Sequence, residues 1–101
     1  MQLRINPLAV DDLKQIKAYI SEELQNPDSA LKIVEGIIER YSRLTEFPQM
    51  GAPLSSIIDI ETNFRYLTYD TYIVFYKVGK EYVSIYRVLS SRQDYIRALF
   101  K

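Results

Sequence analysis

The chain of 101 residues contains no cysteine and no histidine. Without thiols, neither a disulfide nor a thiolate metal site can form. Without imidazole, the usual general base and the commonest metal ligand are both missing. No metal or cofactor is therefore expected. No apolar run reaches the roughly 20 residues needed to cross a bilayer. The opening MQLRINPLAVDD also lacks the apolar core of a secretory signal. A cytoplasmic protein with no membrane partner is the expectation.

A hydrophobic content of 48% with 26% charged residues belongs to a folded globule, and the length suits one domain over 1–101 with one modest core. The formal net charge of 0 hides an asymmetry. Residues 63–101 carry seven basic and three acidic side chains, whereas residues 1–62 carry six basic and ten acidic ones. That imbalance points to an interaction surface on the C-terminal part. Generic coating of nucleic acid does not suit the balanced total, although a local basic patch is compatible with it.

Residues 2–6 alternate like a short strand. Asn6-Pro7 then reads as the cap and first turn of a helix. Ala9, Val10, Leu13, Ile16, Ile20 and Leu24 form its apolar stripe, with Asp11, Asp12 and Glu22 placed off it. Asn26-Pro27 opens a second helix with Asp28 in its first turn, where a carboxylate suits the dipole. Its apolar residues, from Ala30 to Leu44, cover an arc of roughly 160°. The tight connection predicts an antiparallel helical hairpin, and Phe47-Pro48 ends it.

Residues 48–62 are apolar for a loop, with Leu54, Ile57, Ile58 and Ile60. Three strands follow, over 63–69, 71–78 and 82–89, rich in β-branched and aromatic residues. Gly79-Lys80 reads as a two-residue hairpin turn, and Asp70-Thr71 is a weaker turn signal. Ser91 and Asp94 resemble a capping box before a last helix. The order is β-α-α-β-β-β-α, an α+β domain with the hairpin packed on a mainly antiparallel sheet.

In this order these residues resemble the RelE/ParE superfamily of type II toxin–antitoxin toxins, also called plasmid-stabilisation proteins. The likeness runs through INPLAVDDLKQIKAYI, LTEFPQMGAP, FRYL…YIVFYKV and VSIYRVLSSRQDYIRALF. It implies a small cytoplasmic protein that arrests growth and is neutralised by a cognate antitoxin. The protein would occur as a homodimer or a toxin–antitoxin hetero-oligomer.

Two mechanisms occur among the relatives. The RelE-like branch cleaves mRNA on the ribosome, which needs a base for the 2′-hydroxyl, a proton donor and cations around the phosphate. On that reading Arg65, Arg87, Arg92 and Tyr95 would be the catalytic set, yet arginine is a poor base and good only as a phosphate clamp. The ParE-like branch poisons DNA gyrase. The YIVFYKV and RVLSSRQDY stretches resemble it more closely, which makes gyrase inhibition the leading expectation. A degenerate, non-toxic protein that only binds the antitoxin is a third reading.

As target-binding residues, Arg65, Arg87 and Arg92 are expected to share an open basic face of the sheet. The competing structural readings are an ion pair of Arg65 with Asp59 or Glu61, and a buried Arg87 that needs a carboxylate. Arg92, at the start of the last helix, is the foremost functional candidate. Tyr95 reads as packing before chemistry. Tyr72, Tyr76, Tyr82 and Tyr86 read as sheet pairing first and base stacking second. Leu54, Ile57, Ile58 and Ile60 either cover the core or receive the antitoxin.

Overall fold

Two asparagine–proline pairs organise the helical half of the molecule. In the computed structural model, which describes residues 1–100, a strand β1 (Gln2–Ile5) leads into α1 (Pro7–Ala18), and α2 spans Pro27–Ser42. Asn6 Oδ1 accepts the Leu8 amide at 2.9 Å, and Asn26 Oδ1 accepts that of Ser29 at 3.2 Å. Each asparagine thus satisfies an orphan amide at the start of a helix whose first residue is proline. Between the helices the chain widens into a π turn at Tyr19–Glu23 and reverses at Gln25, whose φ is 51°.

The hydrophobic alternation of the second half becomes β3 (Arg65–Tyr69), β4 (Tyr72–Val78) and β5 (Tyr82–Ser90). A two-residue strand β2 (Ala52–Pro53), absent from the sequence expectation, lies within the apolar loop. A short helix α3 (Tyr95–Phe100) closes the chain. The sheet order is β1-β5-β4-β3-β2, with β1 parallel to β5 and the other pairs antiparallel. The α+β class and the helical hairpin on a mainly antiparallel sheet are as expected. Among the described residues no helix is long and apolar enough to cross a membrane.

Local details shift. Asp70-Thr71, the weaker signal, is the tight turn between β3 and β4, with Asp70 at φ 55°. The next turn is centred on Lys80 and Glu81, because the Gly79 amide donates to the Tyr82 carbonyl at 2.8 Å. The capping box does not form. Asp94 alone caps α3, accepting the Arg97 amide at 3.2 Å, while the Ser91 amide donates to the Thr71 carbonyl.

Both faces of the sheet are covered. Val74, Tyr76, Val83, Ile85 and Val88 pack beneath Leu13, Ile16, Ile37 and Leu44 on the hairpin side. Ile73, Phe75 and Leu89 turn the other way, joining Leu54 and Phe64 under Ile58, Tyr95 and Leu99. The expected open basic face is therefore closed by α3 and by the segment from Leu54 to Phe64. Gly36 lies mid-helix in α2 because the Tyr69 ring occupies the space a Cβ would need.

Strict alternation fails in β5. Ile85 and Val88 both face the hairpin, although they are three residues apart. The cause is a β-bulge: Phe75 pairs with Arg87 and Tyr76 with Ile85, leaving Tyr86 as the extra residue. The tyrosine stripe is split accordingly. Tyr76 is fully buried on the hairpin side, Tyr86 packs on the opposite face, and Tyr82 lies beneath the Arg4 guanidinium.

Candidate functional site

The three arginines singled out from the sequence have different fates. Arg65, on β3, donates to the Gly51 carbonyl at 2.7 Å, to the Gln49 carbonyl at 3.3 Å and to the Tyr76 hydroxyl at 3.4 Å. That hydroxyl also accepts the Gly51 amide at 3.0 Å and donates to the Pro48 carbonyl at 3.2 Å. Arg65 and Tyr76 together staple the PQMGAP loop to the sheet. Gly51 is required there, since a Cβ would collide with the Tyr66 carbonyl and the Tyr76 hydroxyl. Neither Asp59 nor Glu61 is the partner of Arg65.

Arg87 does not join an open face. It forms a two-pronged pair with Asp12 of α1, Nε to Oδ2 at 2.8 Å and a terminal nitrogen to Oδ1 at 2.9 Å. Asp12 Oδ2 also accepts the Val88 amide at 3.0 Å. Asp12 is only 7% exposed and the Arg87 side chain 23%. Hydrogen bonding to Asp12 holds the Arg87 guanidinium above even its usual pKa, against the opposing effect of burial. The carboxylate that a covered Arg87 needs is thus supplied from a helix 75 residues earlier in the chain.

Asp12 was placed off the apolar stripe. A helical wheel at about 100° per residue sets it roughly 70° from the centre of the buried residues Ala9, Leu13, Ile16 and Ile20, three residues after Ala9 and four before Ile16. That position was the available signal. Its role follows from β1 ending at Ile5, which leaves the upper edge of β5 without a neighbouring strand. There the Asp12 carboxylate takes the Val88 amide, and Gln93 Oε1 takes the Ser90 amide at 2.8 Å.

Arg92 is the one that remains outside. It sits before α3, not in its first turn. The Ser90–Asp94 turn is braced internally: the Arg92 amide donates to Ser90 Oγ at 3.2 Å and the Gln93 amide to the Ser90 carbonyl at 3.0 Å. Its exposed side chain makes no hydrogen bond or ion pair among the described residues. Tyr95 packs its ring at 5.1 Å over Phe75. Leu54 is fully buried and Ile58 lies against the core, whereas Ile57 and Ile60 are exposed.

Arg87 and Arg92 line one cleft of about 600 Å³; Arg65 lies elsewhere, beside β2. One wall is the π turn, with Tyr19 and Leu24, and the other is the Ser90–Gln93 turn. Tyr72 lies between them, and its pKa is raised by burial first, then by Asp70 and Tyr19. The single carboxylate of the cleft already accepts three hydrogen bonds, and burial holds the proton on Tyr72. Such a cleft is equipped to bind, with no lining group free to act as a base.

A helical hairpin on one face of a mixed five-stranded sheet, with a short helix on the other, defines the class as a RelE/ParE-type toxin domain. The family model described as ParE toxin of type II toxin–antitoxin system, parDE, matches residues 3–95. The chain belongs to this family of type II toxins. It is similar to a solved structure titled as the chromosomal ParDE TA system from P. aeruginosa. Identity is 26%, over 89% of this chain and 95% of that one, with a TM-score of 0.75. No protein of curated function matches the chain.

Proposed function

We propose that this toxin arrests growth by inhibiting DNA gyrase, engages it through the surface around Arg92, and is neutralised by a cognate antitoxin. The observation that carries the reading is the ParE family match over residues 3–95. The chemistry of the residues agrees with it. Cleavage of mRNA would need a base, and the chain has no histidine. Lys77, a strand lysine, holds its ammonium 4.4 Å from the centre of the Phe64 ring and 5.1 Å from that of Tyr86. Arg65 and Arg87 serve as positioning residues, one for the PQMGAP loop and the other for the β5 edge. Of the three, only Arg92 offers a free guanidinium, on a turn braced by its own hydrogen bonds.

Induced expression without an antitoxin should stop growth; vigorous growth would leave only a non-toxic, antitoxin-binding protein. The purified chain should block gyrase supercoiling and leave mRNA intact on translating ribosomes. Codon-specific cuts with normal supercoiling would replace the proposal with the nuclease. Arg92→Ala should abolish gyrase inhibition while moving stability by no more than about 0.5 kcal/mol, as for an unpaired surface residue. Full inhibition by that variant would remove Arg92 from the contact.

A further inference from the structure

One corner of the sheet's second face is left open. Gln2 and Arg4 on β1, with Tyr82 and Ser84 on β5, point to the α3 side, since their neighbours Leu3, Val83 and Ile85 belong to the hairpin core. Gln2 and Arg4 are exposed, and Tyr82 and Ser84 are half-buried. The cover formed by α3 and the segment from Leu54 to Phe64 therefore stops short of β1.

Charge gives this corner its character. Arg4 pairs in register with Ser84, and Ser84 with Lys77 of β4. Paired residues share a face, so a cation, a hydroxyl and a second cation form one row across three strands, about 10 Å long at the backbone. Arg4 holds its guanidinium 4.0 Å from the centre of the Tyr82 ring, and Lys77 leans over Phe64 and Tyr86. Neither cation is paired with a carboxylate among the described residues. A charge on an edge strand discourages unwanted sheet extension, which accounts for Arg4. It does not account for Lys77, whose strand lies between β3 and β5.

Two cations resting on rings, with a hydroxyl between them, offer charge-assisted hydrogen bonds to an anion. The row lies on a sheet face outside the Arg92 cleft, whereas a small molecule needs a concave site. A large surface with repeating anions suits it better. The rings then decide between double and single strands. Bases of a single strand need free aromatic faces to stack on. Here Arg4 takes the Tyr82 face, and Tyr86 packs edge-on against Phe64 at 5.2 Å, beside the Lys77 ammonium. What stays accessible is charge, which meets phosphates and carries no sequence information.

We infer that the Arg4–Ser84–Lys77 row binds the phosphate backbone of duplex DNA, without sequence preference. The inference goes beyond the gyrase reading and does not require it. The row lies near the start of β5, and Arg92 follows the other end of that strand.

The test is fluorescence anisotropy of the purified toxin with a short labelled DNA duplex of random sequence, over a range of salt concentrations. With a net charge of 0 the chain has no general attraction for DNA, so binding reports a local patch. Arg4→Gln and Lys77→Met keep their stems over the rings and remove the charge. Each should weaken binding by roughly fivefold and lower the log–log salt slope by about one, the share of one phosphate contact. Ser84→Asp, which sets a carboxylate between the cations, should abolish binding. Lys32→Ala, exposed on α2 across the sheet, should leave the slope unchanged. Thermal melts establish that the variants are folded. Absence of duplex binding at the lowest salt overturns the inference, and so does binding that the Arg4 and Lys77 variants retain in full. A single strand of equal length that binds more tightly than the duplex overturns it as well. Loss of gyrase inhibition in these variants without any duplex binding would assign the row to a protein contact instead. The titration contains no gyrase, so failure of the gyrase reading leaves its outcome readable.

Discussion

Among the described residues, the hairpin side of the sheet holds fourteen buried ones, drawn from both helices, the turns that follow them and three strands. The opposite side holds five, beneath a loop and a six-residue helix in which no residue is buried. The second layer is held mainly by ring contacts, such as Phe64 with Phe100 at 5.7 Å and Tyr95 with Phe75 at 5.1 Å. Apolar area removed from water sets the scale of stabilisation. The hairpin layer therefore carries most of the folding energy, and α3 is the element that can leave at least cost. The cleft with Arg92 lies where these layers meet at the unpaired edge of β5, rigid on one wall and lightly anchored on the other.

The sharpest way to break this contrast is to empty the hairpin layer. Ile37→Ala, at a fully buried position, should cost about 2–5 kcal/mol in urea unfolding. A loss below about 1 kcal/mol would mean that the hairpin is not the principal core. Asp12→Ala comes next, at about 2–3 kcal/mol. That is below the full value for a buried pair, because Arg87 keeps some contact with water. Adding Arg87→Met should recover part of the loss, as removing the orphaned charge predicts; no recovery would put the stabilisation in the Val88 amide bond instead.

Gly36→Ala sharpens the comparison differently. Alanine favours a helix by about 1 kcal/mol over glycine, yet here it meets the Tyr69 ring, so a net loss of about 1–2 kcal/mol is expected. In a Tyr69→Ser background the same change should become stabilising, by chemical denaturation. Leu99→Ala on α3 should cost under about 1 kcal/mol, and a value equal to that of Ile37→Ala would erase the distinction between the layers.

The smallest effect is alkaline. Burial raises the pKa of Tyr41, and burial aided by Asp70 and Tyr19 raises that of Tyr72. Both folded-state values exceed the unfolded one of about 10, so the folded protein keeps protons that the unfolded chain releases. Their contribution is intact below about pH 10 and is lost as pH rises through the raised values. Tyr41→Phe should flatten the fall in melting temperature above that pH. An unchanged slope would assign the alkaline loss to other groups.

Much of this contrast was legible in the residues. The Asn-Pro pairs announced both helix starts because capping is local chemistry, complete within three residues. The alternation Ile73, Val74, Phe75, Tyr76 correctly separated two faces of β4. What failed were statements about partners. The Tyr86 bulge shifts the register of β5 by one residue, so simple alternation cannot assign the residues around Arg87 to faces. Arg65 read as a surface strand residue because its acceptors are backbone carbonyls of a loop, which no side-chain pattern displays.

Local periodicity, caps and the order of motifs were sufficient for the fold class and the family, because each depends on contacts within a few residues or on a pattern repeated along the chain. The fate of the three arginines was decided elsewhere. Asp12 and Arg87 meet across 75 positions, Arg65 reaches a loop 14 residues before it, and the turn that carries Arg92 is braced by the Ser90 and Gln93 side chains without using its guanidinium. Which charge stays outside is a property of the assembled surface: a guanidinium takes whichever acceptor the tertiary structure brings within reach, and only the one left without an acceptor remains available to a partner.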